Sequence, residues 1–251
     1  MGSLAISPVC VGVAPDVDRS VFLWGLGGGV KLESPSIIWA VTGGDSTIVI
    51  DSGSGSPEWV TRHHRPFRRS PNQEPRVALQ AAGIDPDGVR LVILTHLHYD
   101  HCHNNQIFPS ARFLVQRAEV EYAIAPHPVH AEVFEAPSRG FTPPWLATMD
   151  RTDVIDGDTQ VAPGIRVVTV PGHTPGMMAA IVETDDGPYA VASDFCSLYE
   201  NWRGFGPYKR IPSRVYVNLD EYFRSFARLA AITDNVLPGH DMRVLDKAVY
   251  P

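Results

Sequence analysis

The sequence predicts an α/β fold: two mixed sheets packed face to face, with helices covering the outside. Three observations lead there. Short β-branched runs recur in two series along the 251 residues, helical patterns lie between them, and 44% of the residues are hydrophobic against 20% charged. That balance is ordinary for a globular chain able to bury a sizeable core. Runs apolar enough for burial on both faces suit strands in the middle of a layered structure.

The N-terminal stretch MGSLAISPVCVGVA is apolar, has no basic leader and is interrupted by Pro8, so it reads as a first strand and not as a signal peptide. SVFLW (20–24) follows, then glycines 25, 27, 28 and 29, which lack the strand-turn-helix setting of a dinucleotide site and read as a turn before SIIWAVT (36–42). STIVID (46–51), RLVILT (90–95) and ARFLV (111–115) complete the first series. Helical patterns cover Arg76 to Ala82 and about Ala118 to Ile124. Two stretches rich in Pro, Arg and His, Ser52 to Pro75 and Pro126 to Pro144, read as long surface loops. The second series is IRVVTV (165–170), MAAIVET (178–184), PYAVAS (188–193) and NVL (235–237). Between its last two members, Leu219 to Ile232 places Leu219, Tyr222, Phe223, Phe226, Leu229 and Ala230 on one apolar helical stripe. The length suits one large α/β domain or two small ones, and the whole, residues 1–251, is taken as a single domain.

Charge and cysteine usage narrow the class. The formal net charge is −7, and the densest basic stretch, Arg62 to Arg69, has no partner stretch and reads as a solvated loop. Nucleic acid is therefore not expected as a ligand, because a phosphate backbone selects a basic face. Cys10, Cys102 and Cys196 form no C-x-x-C pair and fit a reducing compartment. Position 6 is Ile where a myristoylation motif needs Ser or Thr, and no apolar run approaches the ~20 residues that cross a bilayer. The expectation is a cytoplasmic protein with a small-molecule substrate and no membrane partner; a homodimer is left open.

The chemistry lies at the ends of the strands. STIVI runs into Asp51 and a glycine-rich turn, RLVILT into His96 of HLHYDH, IRVVTV through Pro171-Gly172 into His173, PYAVAS into Asp194, and NVL through Pro238-Gly239 into His240. Loops at one edge of a sheet are where α/β folds collect their chemistry, so these deliveries argue for one convergent site. In HLHYDH, His96, His98 and Asp100 alternate onto one side of an extended segment while His101 points elsewhere. Chance would place H-x-H-x-D-H in such a chain with odds on the order of one in a thousand. Taken singly, Asp51 reads equally well as a turn residue, Asp194 as a helix cap and His240 as a surface histidine; their order and placement together make incidental roles untenable. There is no G-x-S-x-G elbow and no P-loop to suggest a rival engine.

With these motifs the sequence resembles the metallo-β-lactamase superfamily over nearly its whole length, most closely the N-acyl homoserine lactonase branch. The resemblance implies an αβ/βα sandwich and a dinuclear metal-dependent hydrolase with two Zn²⁺ per chain, Fe, Mn or Co being tolerated by the same N and O donors. By that resemblance, His96, His98 and His173 bind one metal and Asp100, His101 and His240 the second. Asp194 bridges them, and Asp51 orients the ligands from behind. Two such ions activate a water for attack on the carbonyl of a cyclic ester, and Asp100 passes the proton to the leaving group. The branch is suggested by overall length, the long insertion between Asp51 and His96, the bridging Asp194 and the terminal GHD at 239–241. Two departures stand out: His103-Asn104-Asn105 replaces the usual Gly-Gly-Asn, and Ser197 stands where the lactonases carry a tyrosine, with Tyr199 nearby but offset. The aromatic and basic segment Tyr199 to Arg210 is expected to line the substrate pocket through Tyr199, Trp202, Arg203 and Tyr208, favouring a compact aromatic or anionic lactone. Cys102 and Cys196 are expected to be small packing residues. A second reading keeps another hydrolase on the same site, a thioesterase, amidase or hydrolytic dehalogenase. A third is non-hydrolytic: iron redox chemistry or a binding protein.

Overall fold

The computed structural model describes residues 3–251, so the first two residues of the expected N-terminal strand lie outside the described residues. Two sheets form. The first has six strands in the order β1 (Ala5–Asp18), β2 (Lys31–Thr42), β3 (Ile48–Ile50), β4 (Leu91–Ile93), β5 (Arg112–Gln116), β6 (Thr152–Ile155). The second runs β11 (Asn235–Pro238), β10 (Gly187–Ser193), β9 (Met178–Thr184), β8 (Ile165–Thr169), β7 (Thr159–Ala162). Both are mixed: β1–β2–β3 pair antiparallel and β3 through β6 parallel, while β10–β11 is the parallel pair of the second sheet.

The strands are apolar on both faces because both faces are covered, and the period of two divides each strand between two cores. Ile93 and Leu114 of the first sheet meet Val167, Met178, Ala180 and Val182 of the second between the layers. Their neighbours Val92, Phe113 and Val115 face outward, under α2 (Pro75–Ala81) and α4 (Arg117–Ile124). On the far side, Val168, Ala179, Ile181 and Ala190 pack beneath α6 (Leu219–Ala230). The strand-over-strand, helix-outside expectation is the observed architecture.

Helix α6 starts where Asn218 accepts from the Glu221 N–H, with Asp220 and Glu221 in its first turn against the helix dipole. Its buried face is Tyr222, Ser225, Phe226 and Leu229. Phe223 is exposed and Ala230 likewise, so the apolar stripe is narrower than its hydrophobicity suggested. Ser225 lies on the buried face because its hydroxyl donates to Pro171 O at 2.7 Å.

Two other expectations are corrected, and two strands appear that no expectation covered. SVFLW forms a short 3-10 turn over Arg19–Val21 followed by turns, with Phe22 and Leu23 buried in a small cluster beside the strand ends. β6 and β7 are strands of half-buried edge residues without an apolar run to announce them. The Ser52 to Pro75 stretch contains helix α1 (Pro57–His63), capped by Ser56 accepting from the Trp59 N–H and started by Pro57. Two further short helices are α3 (Tyr99–Cys102) and α5 (Tyr199–Arg203). Among the described residues no helix is long and apolar enough to cross a membrane.

Candidate metal centre and the cleft above it

The strands carrying Asp51, His96, His173, Asp194 and His240 end on one edge of the sandwich. His96, His98, His173 and Asp194 offer donor atoms within 4.8 Å of one another, and so do Asp100, His101 and His240. Asp194 joins the two groups. Its Oδ2 lies 3.4 Å from His173 Nε2 and 4.0 Å from His96 Nε2; its Oδ1 lies 2.8 Å from His240 Nε2 and 3.2 Å from His101 Nε2. Asp100 stands beside the second group, 3.8 Å from His101 Nε2 and 3.7 Å from His240 Nε2.

Local backbone features aim these side chains. Asp51 and Ser193 adopt positive φ of 59° and 47° at the ends of β3 and β10, a conformation L residues hold only when surroundings enforce it. Gly172 precedes His173 at φ 141°, where a Cβ would stand 2.5 Å from Tyr222 Cα. Gly176 closes the same loop, and a Cβ there would meet Glu119 N at 2.3 Å. The glycines of PGHTPG let this loop lie flat on α4 and α6.

Four of the five imidazoles are fixed through their other nitrogen. His101 Nδ1 lies 2.8 Å from Asp51 Oδ2, His173 Nδ1 2.8 Å from Val215 O, and His240 Nδ1 3.0 Å from Pro35 O. His96 Nδ1 sits 3.1 Å from Thr95 Oγ1, and Thr95 donates its backbone N–H to Asp51 Oδ1 at 2.8 Å. Ser193 Oγ reaches Asp51 Oδ2 at 3.0 Å, so Asp51 ties three ligand-bearing segments together. Such outer contacts set tautomer and ring orientation.

The inward-facing atoms are the telling ones. His96 Nε2, His98 Nε2, His101 Nε2 and Asp194 Oδ1 are buried and have no hydrogen-bond partner. An orphaned buried polar atom costs about 1–3 kcal/mol, so several orphans turned toward one point fit a site that holds a cation. An all-nitrogen-and-oxygen donor set suits zinc and its divalent neighbours. Burial and the mutual repulsion of imidazoles hold His96 and His98 well below the usual histidine range. Burial likewise lowers His173. Neutral imidazole is the form that coordinates a metal. Burial works against charge on His101 too, but Asp194, Asp100 and Asp51 overcome it and hold that ring well above the range. The same contest, won mainly by His240 and His101, keeps Asp194 well below ordinary carboxylates.

Above this floor lies an open cleft. His98, Asp100, His173, Asp194 and His240 form its base, and Ser197 lies in its lining. The expected pocket residues are elsewhere. After Asp194 the chain turns away from the strand ends, so α5 packs its aromatic side chains against the outer layer and the molecular surface. Trp202 is buried with Phe226 under α6, with the Arg210 guanidinium 4.0 Å above its ring. Tyr199, Trp202 and Arg203 line a separate groove with Tyr189 and Tyr250, and Tyr208 is exposed beside Trp24 and Phe223. None of these four residues lines the cleft.

The wall comes instead from the basic stretch that reads as a solvated loop. Arg65 and Phe67 line the cleft. His64 stacks on Tyr99 at 3.5 Å and pairs with buried Glu135 at 2.9 Å. Arg69 donates to Ser54 O at 2.7 Å, Gly55 O at 2.9 Å and Val11 O at 2.6 Å. Glu119, also unannounced by any motif, accepts from Leu97 N at 3.0 Å and Gly176 N at 3.1 Å, bracing both histidine loops. Burial pushes its carboxyl up to about 7. Cys102 and Cys196 are fully buried among apolar side chains. His103 stacks loosely near Trp59, 4.0 Å from Glu135, and does not enter the histidine groups.

The family model described as the Metallo-beta-lactamase superfamily matches residues 33–240. The N-acyl homoserine lactonase of Bacillus thuringiensis is 30% identical over 169 residues, 65% of this chain and 60% of that protein. The N-acyl homoserine lactonase AiiB of Agrobacterium fabrum is 26% identical over 223 residues, 78% of this chain and 76% of that one. The chain thus spans about 60% of the length of the Bacillus relatives it matches. A solved N-acyl homoserine lactone hydrolase, with the product N-hexanoyl-L-homoserine at its catalytic metal centre, superposes with a TM-score of 0.78 at 21% identity, covering 98% of this chain and 96% of that one. The fold is shared throughout.

Proposed function

Because this chain belongs to the metallo-β-lactamase superfamily, we propose that it is a metal-dependent hydrolase that opens a lactone ring, working with two divalent ions, zinc foremost. The observation that carries the reading is Asp194, one carboxylate oxygen turned toward each group of histidines. Lactonase is favoured over thioesterase, amidase or dehalogenase because the matched relatives are named as N-acyl homoserine lactonases.

In this reading His96, His98 and His173 would hold one ion and Asp100, His101 and His240 the other, with Asp194 serving both. When bound, the ions supply Lewis acidity toward the ester carbonyl and a water acidified to near-neutral pKa. The chain's own part is to place and protect. Asp51 fixes the His101 ring; Val215 O and Pro35 O fix His173 and His240. Neutral rings at His96, His98 and His173 leave their lone pairs open. Asp100, partly exposed at the base of the cleft, can hold the proton released on attack and deliver it to the departing alkoxide oxygen.

Elemental analysis of protein purified without chelator, together with a panel of lactone, linear ester, thioester and amide substrates, tests this. Close to two transition-metal ions per chain, and lactone turnover that chelation abolishes and Zn²⁺, Co²⁺ or Mn²⁺ restores, is the expected result. One metal or none in active protein rejects the dinuclear site; turnover confined to thioester or amide rejects the lactonase.

A further inference from the structure

Arg65 is the one basic side chain in the cleft lining apart from the histidines. Its neighbours in sequence have partners: Arg68 pairs with Glu33 and Arg69 with Glu74. Arg65 forms no ion pair within 4.0 Å among the described residues. Its backbone is anchored, the Arg65 N–H donating to Val60 O at 3.1 Å just past the end of α1. The acidic residues that share its cleft are Asp100 and Asp194, both facing the histidines. Burial works against the Arg65 charge; Tyr99, Asp100 and Asp194 outweigh it and keep the guanidinium charged. The lining around it mixes apolar side chains such as Phe22, Val60 and Phe67 with the hydroxyls of Ser34, Ser36 and Ser54.

A charged guanidinium in the cleft lining with no salt-bridge partner has a fork open to an anionic ligand. Its planar fork matches a carboxylate in two parallel hydrogen bonds. We propose that Arg65 anchors an anionic substituent of the substrate, so that the preferred substrate is a lactone bearing a carboxylate. Arg65 is a specificity-determining residue, and the assignment rests on the lactonase reading above. The anion preference expected from the Tyr199 to Arg210 segment thereby moves to the other side of the site.

The test compares phthalide with phthalides carrying a carboxylate on the ring, using metal-loaded wild type, Arg65→Met and Arg65→Lys. A charge-assisted contact is worth roughly 10- to 100-fold, so kcat/KM should favour the charged lactone by that factor in wild type. The preference should vanish in Arg65→Met and survive in part in Arg65→Lys, with metal content unchanged in both. A second arm measures binding by calorimetry of the ring-opened products, 2-(hydroxymethyl)benzoate and its ring-carboxylated counterparts. The extra carboxylate should tighten binding to wild type and not to Arg65→Met. Equal affinity for singly and doubly charged products, or a preference that Arg65→Met retains, overturns the assignment. Failure of every lactone to turn over, with the Arg65-dependent affinity intact, would reject the lactonase reading and leave the anion site standing.

Discussion

The floor of the cleft and the wall carrying Arg65 are held in different ways. On the floor, the candidate ligands follow strands buried on both faces, and four of the five imidazoles are locked by a second contact such as Asp51 behind His101. The wall hangs on the seven-residue helix α1 and the loop after it, held by the stack of His64 on Tyr99 and the buried pair of His64 with Glu135. The floor has the rigidity that metal chemistry needs, where an error of an ångström is costly. A wall on a loop over that floor can change its side chains without disturbing the sheet beneath. Division of labour between scaffold and loop lets one metal centre serve many substrates.

The difference breaks most visibly at Asp194. Asp194→Ala should empty the site and lower turnover at least 10- to 100-fold, because both groups of histidines lose their shared carboxylate. His103→Ala, one residue past α3 but outside the histidine groups, should keep its metal. Elemental analysis of the two variants decides; a metal-free His103→Ala beside a fully loaded Asp194→Ala would reverse the assignment.

A large effect of another kind is expected at Trp202. Its ring is buried against Phe226 beneath α6, away from the cleft, so Trp202→Ala should cost about 3–5 kcal/mol of stability by leaving a cavity. The kcat/KM of the remaining folded protein should match wild type. Denaturant titration with activity normalised to folded fraction separates the two; a collapse of kcat/KM at unchanged stability would return Trp202 to the substrate pocket.

Glu119 sharpens the comparison from beneath the floor. Its carboxyl is pushed up to about 7 by burial, above the ordinary 4.5. Between those values the folded protein holds a proton that the unfolded chain has released, so this residue's contribution to stability falls as pH rises from about 4.5 to 7. The loss amounts to roughly 3 kcal/mol at most, at about 1.4 kcal/mol per unit. Glu119→Gln cannot ionise. The stability of wild type minus that of Glu119→Gln should therefore decline between pH 5 and 8, measured by chemical denaturation at each pH. A difference independent of pH would mean that the Leu97 and Gly176 N–H groups keep the carboxylate ionised throughout.

The sequence by itself determined the layered fold and the floor. Runs apolar on both faces must lie in the middle of a sandwich, and a polar residue immediately after such a run has only the sheet edge to occupy; hence Asp51, His96, His173, Asp194 and His240 were legible as one site. β6 and β7 were not, because half-buried edge strands carry little apolar signature. Only the tertiary structure decided the wall. RHHRPFRR has the composition of a solvated loop, and nothing local shows that His64 finds Glu135 seventy-one positions away or that Arg65 turns toward Asp100 and Asp194. The Tyr199 to Arg210 segment misled in the opposite sense, since its aromatic side chains gain more by packing under α6 and along the surface than by facing the metal centre. Periodicity reports whether a side chain is buried; which partner buries it depends on contacts far apart in the chain, and those arise only when the sheets close.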